Sequence, residues 1–161
     1  MDWLIQRITG ERCFLKRTRE QVIWDFVQSW LRKAEGDLRA SEHLLTLKQE
    51  DYFASAFHAH QAAEKFLKAF LVRHQIPFRK THDIQQILQL ASRVDLSIKE
   101  ELAPAATLTP FGIEYRYPGE EIADIETASQ ALEQSKIVQS SIVKRLQGYL
   151  AQGRPSKPAR R

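Results

Sequence analysis

The sequence predicts an all-α fold, an antiparallel up-and-down bundle of four to five helices. Three observations carry that expectation. Apolar residues recur three and four positions apart through three long stretches, and no stretch alternates apolar with polar residues as a half-buried strand does. With 6 Gly and 6 Pro in 161 residues, 43% of them hydrophobic and 27% charged, turn residues are too few for a strand-rich chain. The breaks between stretches coincide with helix caps and prolines, and the length suits one domain able to bury its own core.

Residues 1–19 mix Trp3, Ile5, Ile8, Phe14 and Leu15 with charges at no clean period, and are expected to form a loosely docked N-terminal extension. The bundle is expected over residues 20–150. From Glu20 onward, Ile23, Val27, Trp30, Leu31, Ala34, Leu38, Ser41 and Leu45 mark one face of a long helix that ends near Lys48. Gly36 lies on it at a cost of about 1 kcal/mol against Ala, which close packing against a neighbouring helix would offset. Asp51 can cap a second helix running to about His74, beyond which Pro77 and the restricted Ile76 forbid continuation. This helix is apolar over more than one face, so it is expected at the centre of the bundle or shared with a second copy.

Thr81 reads as the next N-cap, with Asp83 in the first turn and Ile84, Ile87, Leu88 and Ala91 forming a short third helix. Leu96, Ile98, Leu102 and Ala105 give a weaker fourth segment, with Ser97 as its cap and Pro104 as an interruption. The stretch 109–119 holds two prolines and two glycines and reads as a loop of the length that tends to carry function. A last helix begins near Glu120, with Glu120, Glu121 and Asp124 at its positive end. It continues through Ile125, Ala128, Leu132, Ser135, Val138, Ile142 and Leu146 and stops near Gly148.

The net charge of +4 is not spread over the chain. Arg154, Lys157, Arg160 and Arg161 account for all of it, so residues 1–153 are neutral overall. Residues 151–161, with two prolines and no apolar anchor, are therefore expected to be a disordered basic tail, so the overall charge does not mark a basic binding surface; the tail's functional reading is a weak, salt-sensitive polyanion contact. Cys13 is the single cysteine, which excludes an intrachain disulfide and a thiolate metal cluster. The run Trp3–Ile5 lacks the length and flanks of a secretory signal, and no apolar run approaches the ~18 residues that span a bilayer. A cytoplasmic protein with no membrane contact is the expectation.

The most informative stretch is 57–70. At about 100° per residue, His60, Glu64, Lys68, Gln61, Lys65 and His58 fall across one arc, opposite Ala59, Ala62, Ala63, Phe66, Ala69 and Phe70. Histidines and a glutamine among alanines point to a shielded polar groove, although an ordinary amphipathic helix has the same outline. His58 and His60 diverge by about 200° on a helix, and Glu64 with His60 makes only two ligands, so no metal site is expected. Walker, dinucleotide and nucleophile-elbow patterns are absent, and no cofactor is expected.

Three pieces of this sequence together resemble the HEPN domain. They are 34–40 (AEGDLRA) followed by Leu44 and Leu45, then 52–69 (YFASAFHAHQAAEKFLKA), then 115–118 (YRYP); His82, Asp83 and Ile84 fit the same pattern. The likeness runs from about Trp24 to Gln147. It implies a helical, commonly dimeric domain with a supposed nucleotide-binding role, often paired with a small nucleotidyltransferase as toxin and antitoxin. Ribonucleases of this family carry an Arg followed four to six residues later by His at a dimer groove. Here the positions that correspond to the motif's histidine after Arg116 are Glu121, Ile122 and Ala123, and no histidine follows His82, which argues against that activity.

The leading expectation is a homodimeric module that binds a nucleotide or polynucleotide phosphate. His58, Lys65, Lys68, His82, Tyr115, Arg116 and Tyr117 are its candidate ligand residues. Arg116, between two tyrosines, suits phosphate contact with aromatic stacking alongside. Lys65 and Lys68 would add point charges, and His58 and His82 would hydrogen-bond the ligand. The bland alternative has both tyrosines packed on the bundle and Arg116 neutralising a carboxylate such as Asp37. Two further readings are a metal-independent ribonuclease using Arg116 with His58 or His82, and a non-catalytic dimeric scaffold.

Overall fold

A computed structural model describes residues 17–47, 51–113 and 123–156. Six α-helices and one 3₁₀ segment stand among these residues, with no strand. They are α1 (Arg19–Thr46), α2 (Tyr52–Arg73), α3 (Ile84–Ala91), α4 (Ser97–Glu101), the 3₁₀ segment Ala103–Leu108, α5 (Thr109–Ile113) and α6 (Ile125–Ala151). Most of the N-terminal extension, residues 120–122 and tail residues 157–161 lie outside the described residues; the last helix, expected from near Glu120, starts at Ile125, because Asp124 is extended and caps it by accepting from the Thr127 amide.

The long helices form because apolar stripes meet across them. Ser55 meets Ser41, His58 meets Asp37 and Gln75 meets Arg19, which is the register of two antiparallel helices. Ser55 Oγ donates to the Ser41 carbonyl at 2.9 Å, while the two hydroxyls stand 3.1 Å apart. Ala34, Ala56, Ala59, Ala62 and Ala63 are fully buried and let these backbones approach closely. Helix α6 closes the bundle against both: Lys136 pairs with Glu42, Trp24 packs on Tyr149 at 5.0 Å, and Arg73 lies 4.1 Å from the Tyr149 ring centre. It therefore runs opposite to α1 and alongside α2, and the short elements α3 to α5 form the broken return limb between them.

Caps place the ends. Thr18 and Gln21 make a reciprocal capping box before α1, and Asp51 accepts from the Ala54 amide at 3.1 Å before α2. Helix α2 is closed by a Schellman turn, in which Ile76 N–H donates to Leu71 O and Gln75 N–H to Val72 O, with Gln75 in the left-handed region at φ 55°. The proline at 77 thus follows a stop that the backbone has already made.

Four sequence expectations shift. Asp83, not Thr81, caps α3: its carboxylate takes the Gln86 amide at 3.1 Å, while the Thr81 hydroxyl accepts from Asp83 N–H. Ser97 is the first residue of α4, and Asp95 accepts from both its amide and its hydroxyl. Residues 109–113, expected as loop, continue as a helical turn, because Pro110 sits in a first turn where no amide is needed. The last helix passes Gly148 and ends at Ala151. Arg145 ties that helix to the return limb through Asp95 and Glu101, each at 2.8 Å. Of the expected tail, Arg154 pairs with Asp25 at 2.8 Å and the Pro155 carbonyl accepts from Gln21 at 2.9 Å, so 153–156 lean on the start of α1.

Gly36 has no close-packing role, since a Cβ there would meet nothing within 4 Å. Gly36→Ala is accordingly expected to stabilise the protein by about 0.5–1 kcal/mol, read as a higher urea midpoint with an unchanged m-value. A lower midpoint would show that the position is needed bare. No helix among the described residues is long and apolar enough to cross a membrane.

Candidate functional site

The polar arc of α2 splits into two stripes with different fates. His60, Glu64 and Lys68, spaced i, i+4, i+8, run beneath the connection 77–83 and the α5 turn, and are 0%, 3% and 5% exposed. His58 and Lys65 meet Asp37 of α1, and Gln61 accepts from Lys65 beside them.

In the buried stripe every charge has a partner. Lys68 Nζ donates to Glu64 Oε1 at 2.6 Å and to the Thr81 carbonyl at 3.0 Å, and its charge lies 5.7 Å from the ring centres of Trp30 and Phe78. His82 Nδ1 donates to Glu64 Oε2 at 2.8 Å. Burial alone would raise the Glu64 carboxyl, but Lys68 and His82 together hold it below its ordinary 4.5. Burial also lowers His60 below its ordinary 6.5 and outweighs the His82 carbonyl and the Glu64 charge. Neutral His60 donates from Nε2 to the His82 carbonyl at 2.8 Å, leaving Nδ1 without a partner among the described residues. Gly112 lies directly against this imidazole, and a Cβ there would run into the ring. The stripe is a fastening: it binds the 77–83 connection and the α5 turn to the central helix.

The second stripe stays accessible. Lys65 Nζ reaches Asp37 Oδ2 at 2.5 Å and Gln61 Oε1 at 2.9 Å, while His58 Nδ1 lies 3.0 Å from Asp37 Oδ1. Side-chain exposures are 17% for Lys65, 19% for Asp37 and 33% for His58. A carboxylate only accepts, so Nδ1 of His58 carries the proton and Nε2 is left for another partner. The trio has no net charge with His58 neutral and +1 with it protonated. Such an arrangement offers a positioned ammonium and an imidazole of fixed tautomer, suited to an anion or to proton transfer.

Among the expected site residues, the structure therefore brings His58 and Lys65 together on Asp37, and brings Lys68 and His82 together on Glu64 in the fastening. Tyr115, Arg116 and Tyr117 lie outside the described residues. Asp37 was legible only as a carboxylate in need of a cation; Lys65 and His58 supply what Arg116 was considered for. Gly112 gave no signal beyond being a glycine in a proline-bounded stretch. No group of three or more His, Cys, Asp or Glu that could hold a metal gathers among the described residues.

The crystal structure of TT1696 from Thermus thermophilus is similar, with a TM-score of 0.63 at 26% identity, covering 74% of this chain and 98% of that one. No curated protein matches. The family model described as HEPN domain matches residues 27–146, a span that opens within α1, closes near the end of α6 and contains both polar stripes. The chain belongs to the HEPN domain family.

Proposed function

We propose that the protein is a homodimeric binding module that takes the phosphate of a nucleotide or polynucleotide at the Asp37–His58–Lys65 cluster. In this reading it works beside a separate nucleotidyltransferase chain, as a toxin–antitoxin-like pair. One observation carries the site: of the two polar stripes on α2, only this one keeps a cation and an imidazole within reach of solvent. Asp37 and Gln61 hold the Lys65 ammonium in place before a ligand arrives, which lowers the ordering cost of binding. Arg116 on the phosphate and Tyr117 stacked on a base belong to the same proposal. Membership of the family supports the dimer and the partner chain.

Calorimetry with ATP tests the reading. Binding is expected, with Lys65→Met weakening it about tenfold, the loss of one charge-assisted contact. Absence of heat at millimolar ATP would remove the proposal. A second reading, a metal-independent ribonuclease, draws on the Asp37–His58 pair, in which a carboxylate fixes the tautomer of a potential acid–base histidine. A mixed RNA left intact by the same sample favours the binding module. Cleavage that disappears in Arg116→Ala favours the enzyme.

A further inference from the structure

Positive charge in this protein gathers in stretches, of which 73–93 is one. Residues 73–93 carry Arg73, Arg79, Lys80 and Arg93 against the single carboxylate of Asp83, a net +3, within a stretch 1–153 that is neutral overall. Arg73 is engaged over the Tyr149 ring. Arg79 and Arg93 are not engaged: both are exposed, and neither guanidinium has a hydrogen bond or ion pair among the described residues. They line one recess of about 480 Å³ between the 77–83 connection and α3, together with Phe78, Thr81, Gln89 and Leu90.

The recess has the makings of an anion site with an apolar floor. No carboxylate is among the described residues that line it. The neighbouring one, Asp83, is occupied with the amide and side chain of Gln86, at 3.1 and 2.8 Å. Two guanidiniums without partners match the geometry of a phosphate, each able to donate two parallel hydrogen bonds. The volume exceeds what a bare phosphate fills and falls in the range of small-molecule sites. Phe78 and Leu90 offer the surplus space an aromatic and an aliphatic surface.

The walls are also held in advance. The Thr81 carbonyl accepts from buried Lys68, the His82 carbonyl from buried His60, and the His82 ring is bound to Glu64. A connection of this kind would otherwise lose entropy on closing around a ligand; here it is already fastened to the central helix.

We infer that this recess binds a small organic phosphate monoester, its phosphate between Arg79 and Arg93 and its apolar group against Phe78 and Leu90. The site is separate from the Asp37 cluster and does not depend on that reading. Titration of the full chain with phenyl phosphate and with inorganic phosphate, at constant ionic strength, tests it. Phenyl phosphate is expected to bind at least several-fold tighter than inorganic phosphate, and the double variant Arg79→Gln/Arg93→Gln to weaken it tenfold or more. Both arginines are exposed, so the variant's thermal midpoint is expected to match the parent's. Lys65→Met, which disables the other site, is expected to leave that part of phenyl phosphate binding that the Arg79→Gln/Arg93→Gln variant loses. Equal affinity for the two phosphates, equal binding by the double variant, or no binding at millimolar ligand would each overturn the inference. If Lys65→Met abolished binding while the double variant did not, phosphate would belong to the Asp37 cluster alone.

Discussion

Glu64→Leu is expected to cost the fold about 3–5 kcal/mol, the range seen when one partner of a buried ion pair is removed. The reason lies in what remains. Lys68 is 5% exposed, and without Glu64 its ammonium keeps only the Thr81 carbonyl and two ring faces. His82 loses its acceptor as well. The double variant Glu64→Leu/Lys68→Met is expected to recover much of the loss, because it replaces both charges by apolar groups of similar size. Urea unfolding measures both. A single variant as stable as the parent, or a double variant worse than the sum of its parts, would contradict the fastening role.

The same network sets a pH dependence. The Glu64 carboxyl is depressed in the fold, so its stabilisation is present above 4.5 and lost as pH falls through its folded value. His60 is also depressed, but as a base: below 6.5 the unfolded chain takes up a proton that the folded chain refuses, and stability falls again with acidification. Both slopes have the same sign. Stability is therefore expected to rise from acidic pH up to about neutrality, and Glu64→Gln to reduce the lower part of that rise, to which Asp25, Asp95, Glu101 and Asp124, also held low, contribute the rest.

Gly112→Ala carries the second large effect. The α5 turn brings Gly112 against a fully buried imidazole that is hydrogen-bonded to the His82 carbonyl, and the ring has no room to retreat. Overpacking of this kind costs about 1–3 kcal/mol. The expected result is a lower urea midpoint together with faster amide exchange over 109–113, because the turn can relieve the clash by lifting off α2. Combining Gly112→Ala with His60→Ala removes the obstacle, and the two losses should then sum to more than the double variant shows. If Gly112→Ala left both midpoint and exchange unchanged, the close approach would not hold in solution.

Much of this architecture can be read from local pattern. The stripe from Ile23 to Leu45, the Asp51 cap and the Asp124 charge at the start of α6 are properties of neighbouring residues, and helix periodicity and capping act over one or two turns. The shift of a cap from Thr81 to Asp83 shows the limit, since both side chains accept an amide two or three residues on, Thr81 that of Asp83 and Asp83 that of Gln86, and local pattern does not say which one opens the helix. The family resemblance was equally open to sequence, because two of its motifs, 34–40 and 52–69, each lie within a single helix.

What sequence alone could state about 57–70 was that six polar residues share one arc. Which of them remain within reach of a ligand was decided by the segments that cover the helix. The 77–83 connection and Gly112 seal His60, Glu64 and Lys68, whereas Asp37 on α1 holds Lys65 and His58 at the surface. Those partners stand far along the chain or across a turn, and no rule of helical spacing refers to them. Periodicity fixes a side chain's direction from its own axis; burial, charge pairing and access depend on what the rest of the chain places opposite, and that is a property of the tertiary structure.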